Sequence, residues 1–507
     1  MKIQMKSGEK GCGTVPITIF ICVLLFKVSS ATFSYGSAAA QDPLPSCNVL
    51  VQCNGEFCAD TCEDNTLNVD PWLINSIRFQ YNLTSKRSWK WGPIIGTHNG
   101  FISRANGFGL TEDLASSLYS RTSTVASTHV RVPNQRFGPK SLLTLGVREL
   151  ELDIWDFLCN GVDFDVCVCH SPVPDPVQVI DLQQAADKLN LGPLKYNPFR
   201  ELCSNFTITW ALTQVKEWLL ENPNDVAEIF LDNRVATFNI DLVTSAINAT
   251  FGTMLLTPPY LKSMYNGKFP SRDELVRVGK RIIIESNDYL DNNYTNSQFP
   301  NFVFWPTTWT DQPSCTDTTP FPNCTIRGDD SWYGSGLPRL LDSGDLAFSP
   351  TEEDERGIIL KPNGLTDLVN CAINNVGVAD VTPNALAGWV WSWASSEPRM
   401  IESSCAAAAM TLVRGQWQNK PCDSLFRAVC RSGDNTIPAG DKPELWQITK
   451  TAVTFLDAAS QCSNEFGASF VFDVPRDGRE NQIIAQRMLF DGTFQTGSGA
   501  WLNVRTM

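Results

Sequence analysis

A chain of 507 residues is too long for one ordinary core and points to two or three domains. Its 43% hydrophobic and 19% charged content is that of a globular protein, and its formal net charge of −14 argues against a nucleic-acid partner, because a phosphate backbone rewards clustered Lys and Arg. The same acidity gives no general attraction to anionic membranes, so any action on lipid has to come from a local site.

Residues 1–40 read as a secretory signal peptide. Lys2, Lys6 and Lys10 precede the apolar run VPITIFICVLLF, and small residues follow at Ser29, Ser30 and Ala31 and again at Ala38, Ala39 and Ala40. Cleavage after Ala31 or Ala40 fits this pattern. The run is too short for a membrane span, and an uncleaved signal anchor is the competing reading. Secretion accounts for the cysteines, which suit disulfides in an oxidising compartment. Residues 41–80 form a Cys-rich segment holding Cys47, Cys53, Cys58 and Cys62. Glycosylation sequons at Asn82, Asn205, Asn248, Asn293 and Asn323 agree with an extracellular chain.

From residue 81 to 400, strand-like runs alternate with helix-like ones. WGPIIGTHNG (91–100) predicts a strand that breaks at His98, and residues 104–140, rich in Ser, Thr and Arg, read as an insertion on a loop. GVRELELDIWDF (146–157) carries Glu149, Glu151 and Asp153 at a period of two, the mark of a strand with unlike faces. Acidic residues on such a strand either face water or assemble an oxygen-ligand site for a hard cation. VDFDVCVCHSP (162–172) predicts a third strand ending at His170, TWALTQVKEWLLENP (209–223) a helix, and VAEIFLDNR (226–234) a fourth strand ending at Asp232 and Asn233. KRIIIES (280–286), NFVFWP (301–306) and GWVWSW (388–393) are strand-like in turn. Strands separated by helices over this length predict an α/β fold, with a (β/α)8 TIM-type barrel as the natural architecture. In a barrel the strand exits converge on one face, where active sites lie, and two of the chain's three histidines, His98 and His170, occupy such exits.

These motifs together resemble the X region of phosphatidylinositol-specific phospholipase C and its secreted PLC-like phosphodiesterase relatives. His98 and Asn99 match the family's first T/S-H-N motif. Arg148, Glu151, Leu152, Asp153, Trp155 and Asp156 match its second-strand motif, His170 its second catalytic histidine, and Asp232 a later carboxylate. The resemblance implies a phosphoric diester hydrolase that acts on a phospholipid or glycolipid head group at a membrane surface. His98, His170 and Glu151 are its implied acid–base groups. It implies Ca²⁺ held by Asn99, Glu151, Asp153 and Asp232, because Trp155 stands where metal-independent relatives carry an arginine. Arg148 and Lys280 are the implied substrate contacts. HSPV after the second histidine, and the acidic residues after KRIIIES, depart from the intracellular enzymes and disfavour phosphorylated inositides as substrates. A glycerophosphodiester hydrolase on the same barrel would need an early H-R motif that THNG does not provide.

A second resemblance covers the C-terminus. Residues 391–432, with Trp393, Glu397, Pro398, Cys405, Gly415, Trp417, Cys422 and Cys430, resemble the distal half of a C-type lectin-like domain. Residues 440–507, with Cys462, Glu480, Asn481 and Trp501, resemble a proximal half. The halves stand in the wrong order for one domain, so the second is expected to open a further, partial domain in which Cys462 lacks a partner. EPR and WQN replace the sugar-binding E-P-N and W-N-D, which weakens the expectation of a glycan partner. The rival reading of the whole chain is an extracellular binding protein with an inactive barrel and a lectin-like tail.

Overall fold

The computed structural model describes residues 46–54, 57–108, 135–157, 165–169, 203–286, 297–304, 340–341, 366, 369, 375–378, 381–399, 404–409, 415–433, 443–491, 494 and 498–506. The signal-peptide reading therefore lies outside the described residues. Among them, no helix is long and apolar enough to cross a membrane.

A hairpin of β1 (Val49–Asn54) and β2 (Phe57–Cys62) opens the described chain, and a Cys47–Cys62 disulfide ties it. Helix α1 (Pro71–Leu83) follows, started by Asp70, whose side chain accepts from the Trp72 N–H, and by Pro71 in the first turn. It buries Leu73, Ser76, Ile77, Gln80 and Tyr81, the face expected of 3.6-residue periodicity.

The main sheet is built from β3 (Ile94–Thr97), β4 (Val147–Phe157), β7 (Ala227–Arg234), β8 (Ile282–Ser286), β9 (Leu340–Leu341) and β10 (Asn375–Val378). All six run parallel, in the spatial order β9-β10-β3-β4-β7-β8, and Phe304 adds a parallel bridge to Glu285. The described residues show a mixed α/β sheet of this order and no closed barrel. Helices α2 (Pro139–Leu145), α3 (Ile208–Glu221), α4 (Ile240–Phe251), α5 (Pro258–Tyr265) and α6 (Arg272–Arg277) connect or flank these strands. Helix α3 follows the predicted segment closely. Thr207 caps it, and Ile208, Ala211, Leu212, Val215, Trp218 and Leu219 are buried at helical spacing.

Three predicted strands come out differently. Residues 162–172 give β5 (Asp165–Cys169), which runs antiparallel both to β4 and to β6 (Cys203–Thr207) rather than joining the parallel set. Periodicity specifies a strand but not its direction, so this choice was invisible to the sequence. Among the described residues, NFVFWP supplies the Phe304 bridge alone, after a 3₁₀ turn at Phe299–Asn301. GWVWSW forms no strand; a short helix α7 (Pro383–Ala387) leads into it and its tryptophans pack at a junction instead. Phe79 of α1 meets Trp393 and Trp417 with ring centroids 5.5 and 5.8 Å apart. The Gln80 Oε1 accepts from the Trp391 and Ser392 N–H groups at 2.8 and 3.1 Å, and its Nε2 donates to the Trp389 carbonyl at 3.2 Å. One buried amide thus satisfies an irregular backbone segment that a sheet would otherwise have paired.

The C-terminal residues build a second sheet from β11 (Ser404–Ala409), β12 (Trp417–Pro421), β13 (Arg427–Ser432), β14 (Trp446–Ile448), β15 (Phe470–Phe472) and β16 (Gly499–Thr506), with helices α8 (Ala458–Phe466) and α9 (Gly478–Phe490). Strand β16 lies between β11, to which it is antiparallel, and β13, to which it is parallel. Disulfides join Cys405 to Cys422 and Cys430 to Cys462. This overturns the expectation that residues 440–507 begin a separate, partial domain with Cys462 unpaired. The two segments interleave in one sheet, and a bond between Cys430 and Cys462 crosses them. From Leu44 to Met507 the chain is one unit, with no break between the main sheet and this one.

Candidate functional site

Strand β4 carries its carboxylates inward. Leu150, Leu152 and Ile154 on one face are fully buried, and Glu149, Glu151 and Asp153 on the other are at most 4% exposed. The water-facing explanation of the two-residue period is therefore excluded. Register places the group: Asp153 lies opposite Asp232, and Glu149 opposite Glu228 of β7. Side chains in register on parallel strands share a face, with strands about 4.8 Å apart. Glu151 and Asp153 thus occupy the exit end, with Asp232 beside them. Glu149 sits deeper, next to Glu228, which accepts from the Trp89 Nε1–H at 2.8 Å.

The His98–Asn99 corner leaves β3 at the same end. His98 N–H donates to the Val378 carbonyl at 3.0 Å, and Asn99 N–H donates to Glu151 Oε2 at 3.1 Å. Gly100 N–H donates to the Glu151 carbonyl at 2.8 Å. Asn99 has φ +48°, in the left-handed region that Asn tolerates better than most side chains. Gly100 has no room to be anything else: a Cβ there would fall on Thr97 Oγ1 and press on Leu150. Thr97 Oγ1 also accepts from the Glu151 N–H at 3.3 Å. Gly100→Ala is therefore expected to cost about 1–3 kcal/mol through overpacking of this corner, read as a lower urea midpoint at unchanged m-value.

The structure brings together His98, Asn99, Glu151, Asp153 and Asp232. His170 directly follows β5 and lies outside the described residues. Arg148 and Lys280 are not part of the group. Both stand at the strand entrances, at the opposite end of the sheet. The Arg148 guanidinium pairs with Asp225 at 3.1 Å, donates to the Leu143 and Val147 carbonyls, and lies over the Tyr81 and Trp218 rings. Lys280 Nζ donates to the Thr253 carbonyl at 2.9 Å, lies 4.6 Å from the Tyr260 ring centre, and has its pKa lowered by burial. Unlike the role the sequence implied for them, both make structural contacts at the strand-entrance end of the sheet.

One residue of the site was missed. Arg234, opposite Trp155 in register, holds the Asp232 carboxylate through Nε and Nη2, at 3.1 Å from Nε to Oδ1 and 3.1 Å from Nη2 to Oδ2. The signal was available, because residues two apart on a strand share a face. Among the described residues, no group of three or more His, Cys, Asp and Glu side chains is spaced to hold a metal ion. The donor set of Asn99, Glu151, Asp153 and Asp232 is nevertheless the oxygen chemistry a hard cation takes.

At the C-terminal sheet the EPR and WQN segments meet. Glu397 Oε2 accepts from the Arg399 and Asn419 N–H groups, and the Arg399 guanidinium lies 3.3 Å from Glu397 Oε1.

The PI-PLC X family model matches residues 202–340, less than half of the chain. That range includes Asp232 and Arg234 but not the His98 corner or β4. It supports a phospholipase C-like phosphodiesterase. Two uncharacterized proteins of Mycobacterium tuberculosis, MT2135 and Rv2075c, are each 24% identical over 435 residues, spanning 81% of this chain and 76% of the relative. Among solved structures, the phosphatidylinositol-specific phospholipase C from Listeria monocytogenes matches at TM-score 0.37 and 12% identity, over 62% of this chain and 97% of that one. S. officinalis PLC21 matches at TM-score 0.25 and 14% identity, over 45% of this chain and 25% of its own.

Proposed function

We propose that the chain is a secreted phosphoric diester hydrolase of the phospholipase C type, cleaving a phosphoinositide-like or glycosylphosphatidylinositol-like diester at a membrane surface. The observation that carries this reading is the convergence of the His98–Asn99 corner, Glu151 and the Asp153/Asp232 pair on one strand-exit face, with Asn99 tied to the Glu151 carboxylate. The Cys47–Cys62, Cys405–Cys422 and Cys430–Cys462 disulfides support the oxidising compartment. Phe238, 83% exposed just beyond the β7 exit, is suited to a lipid surface.

A hydroxyl of the head group attacks phosphorus, the bond to the lipid alcohol breaks, and a cyclic phosphate leaves. The attacking hydroxyl gives its proton to His98 or to Glu151, and His170 gives a proton to the departing alcohol oxygen. Imidazoles suit both transfers near neutral pH. Asn99, Glu151, Asp153 and Asp232 would hold Ca²⁺, which when bound lowers the hydroxyl pKa and offsets charge on the phosphoryl oxygens. The lectin-like unit acts in this reading as a structural partner of the main sheet rather than a sugar site, supported by its Arg399–Glu397 pairing. The test is release of a cyclic inositol phosphate from phosphatidylinositol, and of a glycosylphosphatidylinositol-anchored reporter from vesicles, with Ca²⁺ and with chelator. Failure on every diester in both conditions would favour the binding-protein reading.

The Arg234–Asp232 pair favours a second version, in which the guanidinium offsets phosphoryl charge in place of the metal. Arg234→Gln separates the two. If Ca²⁺ does the work, the variant frees Asp232 and binds Ca²⁺ more tightly by calorimetry. If Arg234 does it, kcat falls roughly 10²–10³-fold, the scale of losing one charge-stabilising donor, and chelator has no effect on the wild type.

A further inference from the structure

Gln135 stands at the return of the segment read from sequence as a loop insertion, yet its side chain is 1% exposed. The Nε2 donates both to the His98 carbonyl at 2.7 Å and to the Val378 carbonyl at 2.8 Å. The Oε1 accepts from the Val381 N–H at 3.0 Å. Its backbone is pinned as well: Gln135 N–H donates to the Ile102 carbonyl at 3.2 Å, and its carbonyl accepts from the Arg104 N–H at 3.0 Å. One amide therefore bridges the exits of β3 and β10 and Val381. Val378 already accepts the His98 N–H, so both sides of the His98 peptide are tied to the same neighbouring strand exit. Asn99, the next residue, is in the left-handed region and is held from β4. A backbone in that region persists where surrounding contacts over-determine it.

We propose that Gln135 is a positioning residue for His98: it fixes the His98 backbone against β10 so that the imidazole is presented to the strand-exit face in one orientation. The proposal rests on the acid–base role given to His98 above. Every donor and acceptor of the Gln135 amide described here is spent on backbone near the site, and none on the segment it belongs to. A residue serving only to anchor its own loop would not need that arrangement.

The test compares the full chain with Gln135→Met, which keeps the volume and loses the amide, and Gln135→Asn, which keeps the amide but falls short of both carbonyls. The chain has three histidines, so carbon–proton spectra of ¹³C-histidine protein are simple, and the His98 signal is the one absent in His98→Ala. Both variants are expected to move the His98 ring resonances. On phosphatidylinositol, kcat should fall roughly 10–100-fold with little change in KM, as expected for a misplaced group that binds no substrate itself. Unchanged His98 resonances in a folded variant would overturn the proposal, and so would a kcat loss matched by an equal rise in KM. If the wild type hydrolyses no diester, the phosphodiesterase reading is what fails, and the His98 resonances alone then decide the positioning. Should Gln135→Met not fold, Gln135→Asn decides in the same way.

Discussion

His98→Ala is expected to lower the release of cyclic inositol phosphate by roughly 10²–10⁴-fold, the usual worth of a positioned acid or base. The substitution should leave the fold intact. His98 is held by its own N–H and carbonyl, through Val378 and Gln135, and alanine keeps both groups. The neighbouring Asn99 N–H keeps its bond to Glu151. Activity and stability should thus separate cleanly: kcat collapses while the thermal midpoint stays within a few degrees. A variant that retains more than a tenth of wild-type kcat would remove His98 from the acid–base pair and leave Glu151 as the base. His170→Ala, assayed beside it, reports the leaving-group side. Loss in both variants, with no added loss in the double variant, would show the two histidines acting as a unit.

The second large effect is on stability. Arg87 is buried between the main sheet and the C-terminal unit, pairing with Asp477 at 2.9 Å and Glu480 at 2.6 Å; the three side chains are 1%, 5% and 0% exposed. Burial opposes its charge, but Glu480 and then Asp477 overcome that and hold its pKa above the ordinary value. Asp477 also caps α9 by accepting the Glu480 N–H, and Glu480 Oε2 accepts the Arg476 N–H, so both carboxylates are fixed by the helix start. Arg87→Met would leave two buried carboxylates without their cation, and about 3–5 kcal/mol should be lost. Equilibrium unfolding in urea measures it. Adding Asp477→Asn and Glu480→Gln to Arg87→Met should recover part of the loss, because neutral amides need no counter-charge. A loss below about 1 kcal/mol, the worth of an exposed pair, would mean that water reaches the site and that the junction is looser than its geometry.

This ion pair spans 390 residues of sequence, and nothing near Arg87 announces it. The same holds for Gln80, which meets Trp391 and Ser392, and for Gln135, which meets His98 and Val378. The pairing of β16 with β11 and β13 belongs with them. Cysteine spacing could not assign Cys462 to Cys430, because spacing carries no connectivity. Arg234 is a different kind of omission. It sits two residues from Asp232 on the same strand, within reach of the reasoning that found Glu151 and Asp153.

By itself the sequence determined what depends on short range. The two-residue period of Glu149, Glu151 and Asp153, the helical spacing from Ile208 to Leu219, and the polar residues at the ends of β3 and β7 are local patterns, and strands and helices are local periods. From these came the strand-exit group around His98 and Asp153. Only the tertiary structure decided that β4 is buried on both faces, that β5 turns back antiparallel, that Arg148 and Lys280 lie at the far end, and that the two C-terminal segments share one sheet. Each depends on which distant surface comes to lie beside a segment. A periodic pattern says that a face will be covered, and leaves open by what.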